Sequence, residues 1–493
     1  MKNIAQRILH LLLNNYFLLF LYILLVSYVT IHHEVWRDEA DSWLVARDIS
    51  YSGLFQFTRN SGHPSFWYWI LIPFAKFDFP YYTLSIIHLS LAIAVVYLIL
   101  FHSTLNKYLV ILLIFGYYFF FEYAVVARNY ALSNFLLFLI AAIYKKRFEK
   151  PILFGMLLFL LANANMYATI IASGIGLLYL IEIIEEKKYT SNIMLGFSLI
   201  VLGGIACLAQ VYPSNDRQVS PTDSGLFFVI NYNAIFLATA HAFAPGVMSL
   251  LALFSLVLFP VSLVFFYRTK KVFIFFIWVI CILFFFFTFI YMGGYRHAGF
   301  LLMTLIFSLW IKPYYEIEKE SEVIYDSLFS YVISKLFYIL FIISLLFSLR
   351  FSYKESKKEI LYSYSNAKEM SEYILANGYD SDDYIIVAHN LDRGKTILYY
   401  LKNKKTFYYP ALDSFGSYML WDKKMSNAVK LKVQDMLPKT REKFAGKENI
   451  LFLSDTELKE NKEEYDLLYK TQRRNEFVRD EEFFLYKLKL TTK

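Results

Sequence analysis

The sequence predicts a polytopic α-helical membrane protein of about eleven spans, with a large first outer loop carrying interfacial helices and a soluble C-terminal α/β domain. Three observations carry this. The 493 residues are 58% hydrophobic and 20% aromatic, too apolar for an ordinary soluble globule. Runs such as LLLNNYFLLFLYILLVSYVTI (11–31) and KVFIFFIWVICILFFFFTFIYMGG (271–294) approach or exceed the ~20 apolar residues a helix needs to cross a bilayer. Beyond residue 350 the character changes, and 351–493 carries 26 of the 49 Lys and Arg. The expected division is therefore a membrane domain over 1–350 and a soluble domain over 351–493.

The expected spans are 11–31, 83–101, 108–125, 130–144, 151–163, 166–184, 193–212, 247–267, 272–292, 297–311 and 329–350. The first is long and lacks a small-residue cleavage site, which predicts a retained helix and not a signal peptide. Segment 226–244 is assigned as an interfacial helix on the outer face. Counted as a span, it would place Arg268, Lys270 and Lys271 outside.

Lysines set the orientation through the positive-inside rule. With the N-terminus inside, the inner side collects Lys2, Lys107, Lys145, Lys146, Lys150, Lys187, Lys188, Lys270, Lys271, Lys312 and Lys319, and the outer membrane loops hold Lys76 alone. Arginine behaves differently: Arg37, Arg47, Arg59, Arg128, Arg217 and Arg296 fall outside or at the outer boundary. A guanidinium offers a planar fork suited to phosphate and carboxylate, so arginines that break the topology rule are the ones to suspect of function. Cys207 and Cys281 lie in apolar runs and imply neither a disulfide framework nor a cysteine metal site. A net charge of +8 is ordinary for a membrane protein, and nothing points to nucleic acid.

The tail beyond residue 350 reads as alternating strand and helix. DYIIVAH (383–389), KTFYYP (405–410), ENILFLS (448–454) and EFFLYKL (482–488) are expected strands, and RGKTILYYLKN (393–403) a helix. This pattern favours a small sheet covered by helices, serving as a solubilising or lid domain.

Residues 32–82 form an outer loop too long for a mere connector. In WRDEADSWLVAR, acidic Asp38, Glu39 and Asp41 precede an amphipathic pattern, which predicts a short surface helix with carboxylates in its favourable first turn. Simple solvation of that helix would also account for the charges. NSGHPSFWYWILIPF (60–74) sets His63 between the structure breakers Gly62 and Pro64, ahead of an aromatic run suited to the interface. EYAVVARNYALS (122–133) places Arg128 at the outer boundary between two apolar helices. A charge there is costly and by default functional, with a snorkelling interface residue as the alternative. YMGGYRHAGF (291–300) presents Tyr295, Arg296 and His297 in a tight turn, and NANMYA (163–168) is a polar interruption on the same side. These clusters converge on one leaflet, as one site at the membrane–water boundary would.

Asp38-Glu39, then His63-Pro64, then Arg128-Asn129-Tyr130-Ala131-Leu132 follow an order and topological side that resembles the GT-C membrane glycosyltransferases. The nearest branch is the family 39/83-like one, related to protein O-mannosyltransferases and lipid A aminoarabinose transferases. The motifs cover roughly residues 10–185. The resemblance implies a GT-C-like catalytic domain and a polyprenyl-phosphate-linked sugar as donor. It implies an acceptor at the outer face, whether glycan, lipid or protein, and the compact size and short loops suggest a bacterial plasma membrane. It implies Asp38 and Glu39 as catalytic carboxylates, and Arg128, Tyr130, Arg296 and His297 on the donor phosphate. His63, Asp41 and Trp36 would contact substrate. Some members use a divalent metal, for which Glu39, His63, Asp38 and His297 could supply ligands, although no spacing here is a metal signature. The chain departs from the aminoarabinose branch in carrying a bare His-Pro where Lys-Pro-Pro is typical. It also shows no sign of the eukaryotic mannosyltransferases' sugar-binding insert, which disfavours protein as acceptor.

Three other classes compete: a surface-polysaccharide polymerase or ligase, a transporter or flippase of a lipid-linked sugar, and a membrane binding protein without catalysis. The large outer loop, the soluble tail and the lack of an inverted repeat speak against the transporter. The position of the charged clusters early in the chain speaks against the polymerase.

Overall fold

The computed structural model describes residues 13–217, 233–247, 250–316, 327–401, 405–428, 432–459, 462–473, 476–478 and 481–489. Lys2, Lys319, and residues 226–232 of the expected interfacial segment lie outside them; of that segment, Ala234–Phe243 is helical.

Seven helices among the described residues are long and apolar enough to cross a membrane: Asn15–His32, Thr83–His102, Met166–Glu185, Ser191–Val211, Lys270–Phe289, the stretch Tyr295–Glu316, and Leu328–Leu361. The other expected spans are helical but shorter. Asn129–Ile143 has 15 residues, Pro151–Ala162 has 12 and Phe254–Tyr267 has 14. The expected span 108–125 breaks after Lys107–Ile114 and continues as a π-helical turn, Tyr118–Glu122. All five side chains of that turn are buried, and widened turns of this kind re-aim side chains where a site needs them.

Small residues let the membrane helices approach. A methyl built on Gly155 would collide with the Gly196 backbone, one on Gly196 with the Pro151 carbonyl, and one on Gly203 with the Phe159 backbone. Close backbone contact takes the place of a hydrophobic driving force, which lipid does not supply between helices. Gly155→Ala is therefore expected to destabilise the protein by about 1–3 kcal/mol, the range for overpacking. A thermal midpoint in detergent checks this, with Gly204→Ala as the control, since nothing lies within 4 Å of a methyl there.

The C-terminal residues form one six-stranded sheet of order β3-β2-β1-β4-β6-β5. The strands are β1 (Ile385–Ala388), β2 (Phe407–Tyr409), β3 (Ser414–Gly416), β4 (Ile450–Ser454), β5 (Tyr465–Lys470) and β6 (Phe484–Leu488). β2, β1 and β4 run parallel, with Ile385 opposite Ile450 and Ala388 opposite Leu453. β3 and β6 join antiparallel at either side, and β5 pairs antiparallel with β6. Each expected strand is present, two residues shorter at its start, with the last two ending where expected, and the expected helix is Leu391–Tyr400. β3 and β5 were not anticipated.

This sheet unit sits on the loop of residues 33–82. Tyr399 donates to the Tyr81 carbonyl at 2.6 Å, Tyr400 to that of Val35 at 3.3 Å, and Asn60 to that of Leu420 at 3.2 Å. The loop holds three helices, Arg37–Asp48, Tyr51–Ser61 and Phe66–Lys76. The first differs from the expected membrane-surface helix, because every residue from Glu39 to Ala46 is buried. Covering by the Leu391–Tyr400 helix on one side and Phe66–Lys76 on another turns a charged segment into an interior one.

Candidate functional site: an ion cluster around Asp38

Asp38 stands in the first turn of the Arg37–Asp48 helix, with its side chain 31% exposed at the edge of the cluster. Its Oδ2 lies 2.6 Å from Arg128 Nη1 and 3.2 Å from Arg296 Nη1. Burial pushes the carboxyl up, but the guanidinium groups of Arg128 and Arg296, then Lys395 and Arg37, outweigh it and hold Asp38 well below the usual carboxylate range. Asp38 is thus an anion at every physiological pH.

Each arginine is placed by a different element. Arg128 precedes the Asn129–Ile143 helix in extended backbone, with its guanidinium 5.9 Å from the Tyr130 ring centroid. Arg296 lies in the first turn of the Tyr295–Ile311 helix, 4.9 Å over the Trp36 ring, with Nε 3.6 Å from Glu122 Oε1. The π-helical turn and the residue after it secure that helix start. Tyr118 donates to the Tyr295 carbonyl at 3.1 Å and Tyr123 to the Arg296 carbonyl at 2.6 Å. Gly299 leaves room for both tyrosines, since a methyl there would strike the Tyr123 hydroxyl and the Tyr118 ring.

His297 accepts the Gly294 N–H at Nδ1, 2.9 Å away, so the neutral ring carries its proton on Nε2 and donates it to the Tyr130 hydroxyl, also at 2.9 Å. Tyr130 and His297 therefore form a buried pair beside the arginines. The His63 Nδ1 is buried with no hydrogen-bond partner among the described residues. Burial, with Arg128 and Arg217 nearby, pushes His63 down to about 4 against the opposing pull of Asp38, so the ring is neutral. Trp36 is a floor for Arg296, and its Nε1 is likewise buried without a partner among the described residues.

Glu39 and Asp41 are arranged differently from Asp38. The fully buried Glu39 carboxylate accepts from His33 Nε2 at 2.9 Å, from the Trp36 N–H at 3.3 Å and from the Ala127 N–H. It thereby ties the helix start to the residue immediately before Arg128. Asp41 Oδ1 receives the Met419 N–H at 3.1 Å and lies 3.0 Å from Lys395 Nζ, facing the C-terminal sheet unit. Burial pushes Asp41 up, with Lys395 opposing. Both were expected to touch substrate or reacting atoms, and both are consumed by internal partners.

The donor set does not suit a metal as arranged. Glu39 and Asp38 are taken by protein donors, both His297 nitrogens are hydrogen-bonded, and His63 faces arginines. Among the described residues no group of three or more His, Cys, Asp or Glu could hold a metal ion.

His33 bridges Glu39 and Glu359, the latter at 3.1 Å from Nδ1. Burial pushes His33 down, but the two carboxylates outweigh it and raise it to about 10. A folded pKa above the unfolded value of ~6.5 means that the stabilisation is complete below that pH and is lost as pH rises through the folded value. The thermal midpoint advantage of the native protein over His33→Gln is expected to be greatest at pH 6 and to shrink towards pH 10. An advantage that grows with pH would contradict the charged bridge.

Sequence reasoning missed three contributors: Glu122, Glu359 and Lys395. Glu122 had a signal, since it is a carboxylate at the end of an apolar run. Lys395 sits in a helix that looked generic. Of the arginines expected outside, Arg47 pairs with Asp48 and Arg59 donates to the Tyr212 carbonyl, while Arg128 and Arg296 converge on Asp38.

Fold and site together define a multi-pass helical membrane protein whose charged cluster is capped by a small α/β unit. No protein-family model matches the chain, and no curated protein matches it either.

Proposed function

We propose that the protein is an inverting glycosyltransferase that moves a monosaccharide from a polyprenyl-phosphate donor to an acceptor hydroxyl at the outer face of the membrane. The observation that carries this reading is the Asp38 carboxylate, held between two guanidinium groups at a partly exposed edge. In the proposed topology eleven segments span a bacterial plasma membrane, with the N-terminus inside and the sheet unit outside. The site then lies level with lipid phosphates.

The chemistry needs little else. The acceptor oxygen attacks the anomeric carbon, and the bond from that carbon to the phosphate oxygen breaks. Polyprenyl phosphate leaves with the bonding electrons, and the acceptor proton passes to Asp38 as general base. A phosphate leaving group needs no protonation, and Arg128 and Arg296 stabilise its developing charge. Tyr130 and His297 hold the wall behind Arg128. Glu39 acts as a positioning residue, because it joins the Asp38 helix to the Arg128 segment.

The ion pairs add a constraint. In the free protein Asp38 occupies the same guanidinium groups that the donor phosphate requires. Donor binding draws the arginines towards phosphate, relieves the charge that depresses the Asp38 pKa, and makes it a better base once the donor is seated. Native mass spectrometry of protein extracted with its lipids tests the reading. A retained polyprenyl phosphate or polyprenyl-phosphate sugar is expected, and retention of bulk phospholipid alone counts against it.

A further inference from the structure

Lys395 is a deeply buried cation near the site, with its side chain 1% exposed. It comes from the Leu391–Tyr400 helix of the sheet unit, yet it reaches Asp41 at 3.0 Å and Asp392 at 2.9 Å. Asp392 in turn lies 3.7 Å from Arg37. The result is an alternating chain, Arg37–Asp392–Lys395–Asp41, whose two ends sit on the helix that carries Asp38, one residue before it and three residues after it. A buried ion pair is a weak source of net stability, because desolvation offsets the attraction, and fixing one geometry is a better-attested reason to keep one.

We propose that Lys395, supplied by the C-terminal domain, is a positioning residue of the site: by holding Asp41 it fixes the helix that presents Asp38 to the two arginines. The sheet unit is then a working part of the catalytic centre and not a solubilising appendage. Neighbouring contacts support the same docking, since the Met419 N–H also binds Asp41 and Ser417 binds Asp48. The inference rests on the glycosyltransferase reading for its kinetic consequence but not for its structural one.

The test is a cycle of Lys395→Met, Asp41→Asn and the double variant. Small misplacement of a reacting group is costly, so each single change is expected to lower kcat about tenfold. The donor KM should stay within about twofold, because Arg128 and Arg296 are untouched. Both changes cut one link, so the double variant should be no slower than the slower single. Asp41→Asn leaves Lys395 its Asp392 partner and carries the test should Lys395→Met not fold. Amide exchange over residues 37–48 should accelerate in either single variant. Unchanged kcat in folded variants, losses that multiply, or unchanged exchange overturns the proposal. A wild-type protein without transfer activity would sink the glycosyltransferase reading instead, and the exchange measurement would still decide the role of Lys395.

Discussion

Asp38→Asn is expected to lower sugar transfer by about 10³-fold, within the range for loss of a general base, while the protein still folds and still binds polyprenyl phosphate. Asparagine keeps the size and an acceptor oxygen but cannot take the acceptor proton. The arginine side chains are 14% and 21% exposed, so water can solvate them once the carboxylate is neutral. Affinity for polyprenyl phosphate should hold or tighten, because Asp38 no longer competes for Arg128 and Arg296. Initial rates with a polyprenyl-phosphate sugar, together with titration of the lipid phosphate, check both halves. Full activity in the purified variant removes Asp38 as the base, and clearly weaker phosphate binding removes the competition.

Arg128→Ala is expected to weaken donor binding by about 10–100-fold, the equivalent of one charge-assisted hydrogen bond to phosphate. Arg128 is the closer of the two guanidiniums to Asp38, at 2.6 Å, so its loss also relaxes the field that depresses the carboxyl. Arg128→Lys should recover only part of the affinity, because an ammonium is a point charge without the planar fork. Arg296→Ala should cost less in binding, because Arg296 shares its charge with Glu122 and rests on Trp36. Equilibrium binding of the lipid phosphate separates these outcomes. Unchanged affinity in Arg128→Ala takes that residue out of the phosphate site.

Much of this arrangement was legible along the chain, and the part that was not has a specific cause. Asp38 stood out through the order and spacing of its motif ahead of His63-Pro64 and the Arg128 segment, and Arg128 because its charge lay between two apolar helices. Glu39 and Asp41 were indistinguishable from Asp38 by type and spacing. What separates them is direction. In one helical turn Glu39 points to the Ala127 N–H and His33, Asp41 to Lys395, and Asp38 to Arg128 and Arg296 at a partly exposed edge. The helix itself was expected at the membrane surface, whereas its carboxylates meet cationic and N–H partners supplied by other elements of the protein.

Apolar run length, lysine asymmetry and strand alternation are local properties, recorded in neighbouring residues. They were enough to anticipate a helical membrane protein with a terminal sheet, and to bring Arg128 and Arg296 under suspicion, while Asp38 came from the order of the motifs. Which charges meet is not local. Arg296 reaches Asp38 across 258 residues of chain and Glu359 reaches His33 across 326. Lys395 arrives from a short amphipathic helix whose pattern does not mark it out from its charged neighbours Asp392 and Arg393. Desolvation makes each of these pairings decisive, because a buried charge without its partner costs several kcal/mol. The packing of distant elements, and not composition, therefore set Asp38 between two guanidinium groups at a partly exposed edge while Glu39 and Asp41 were turned inward.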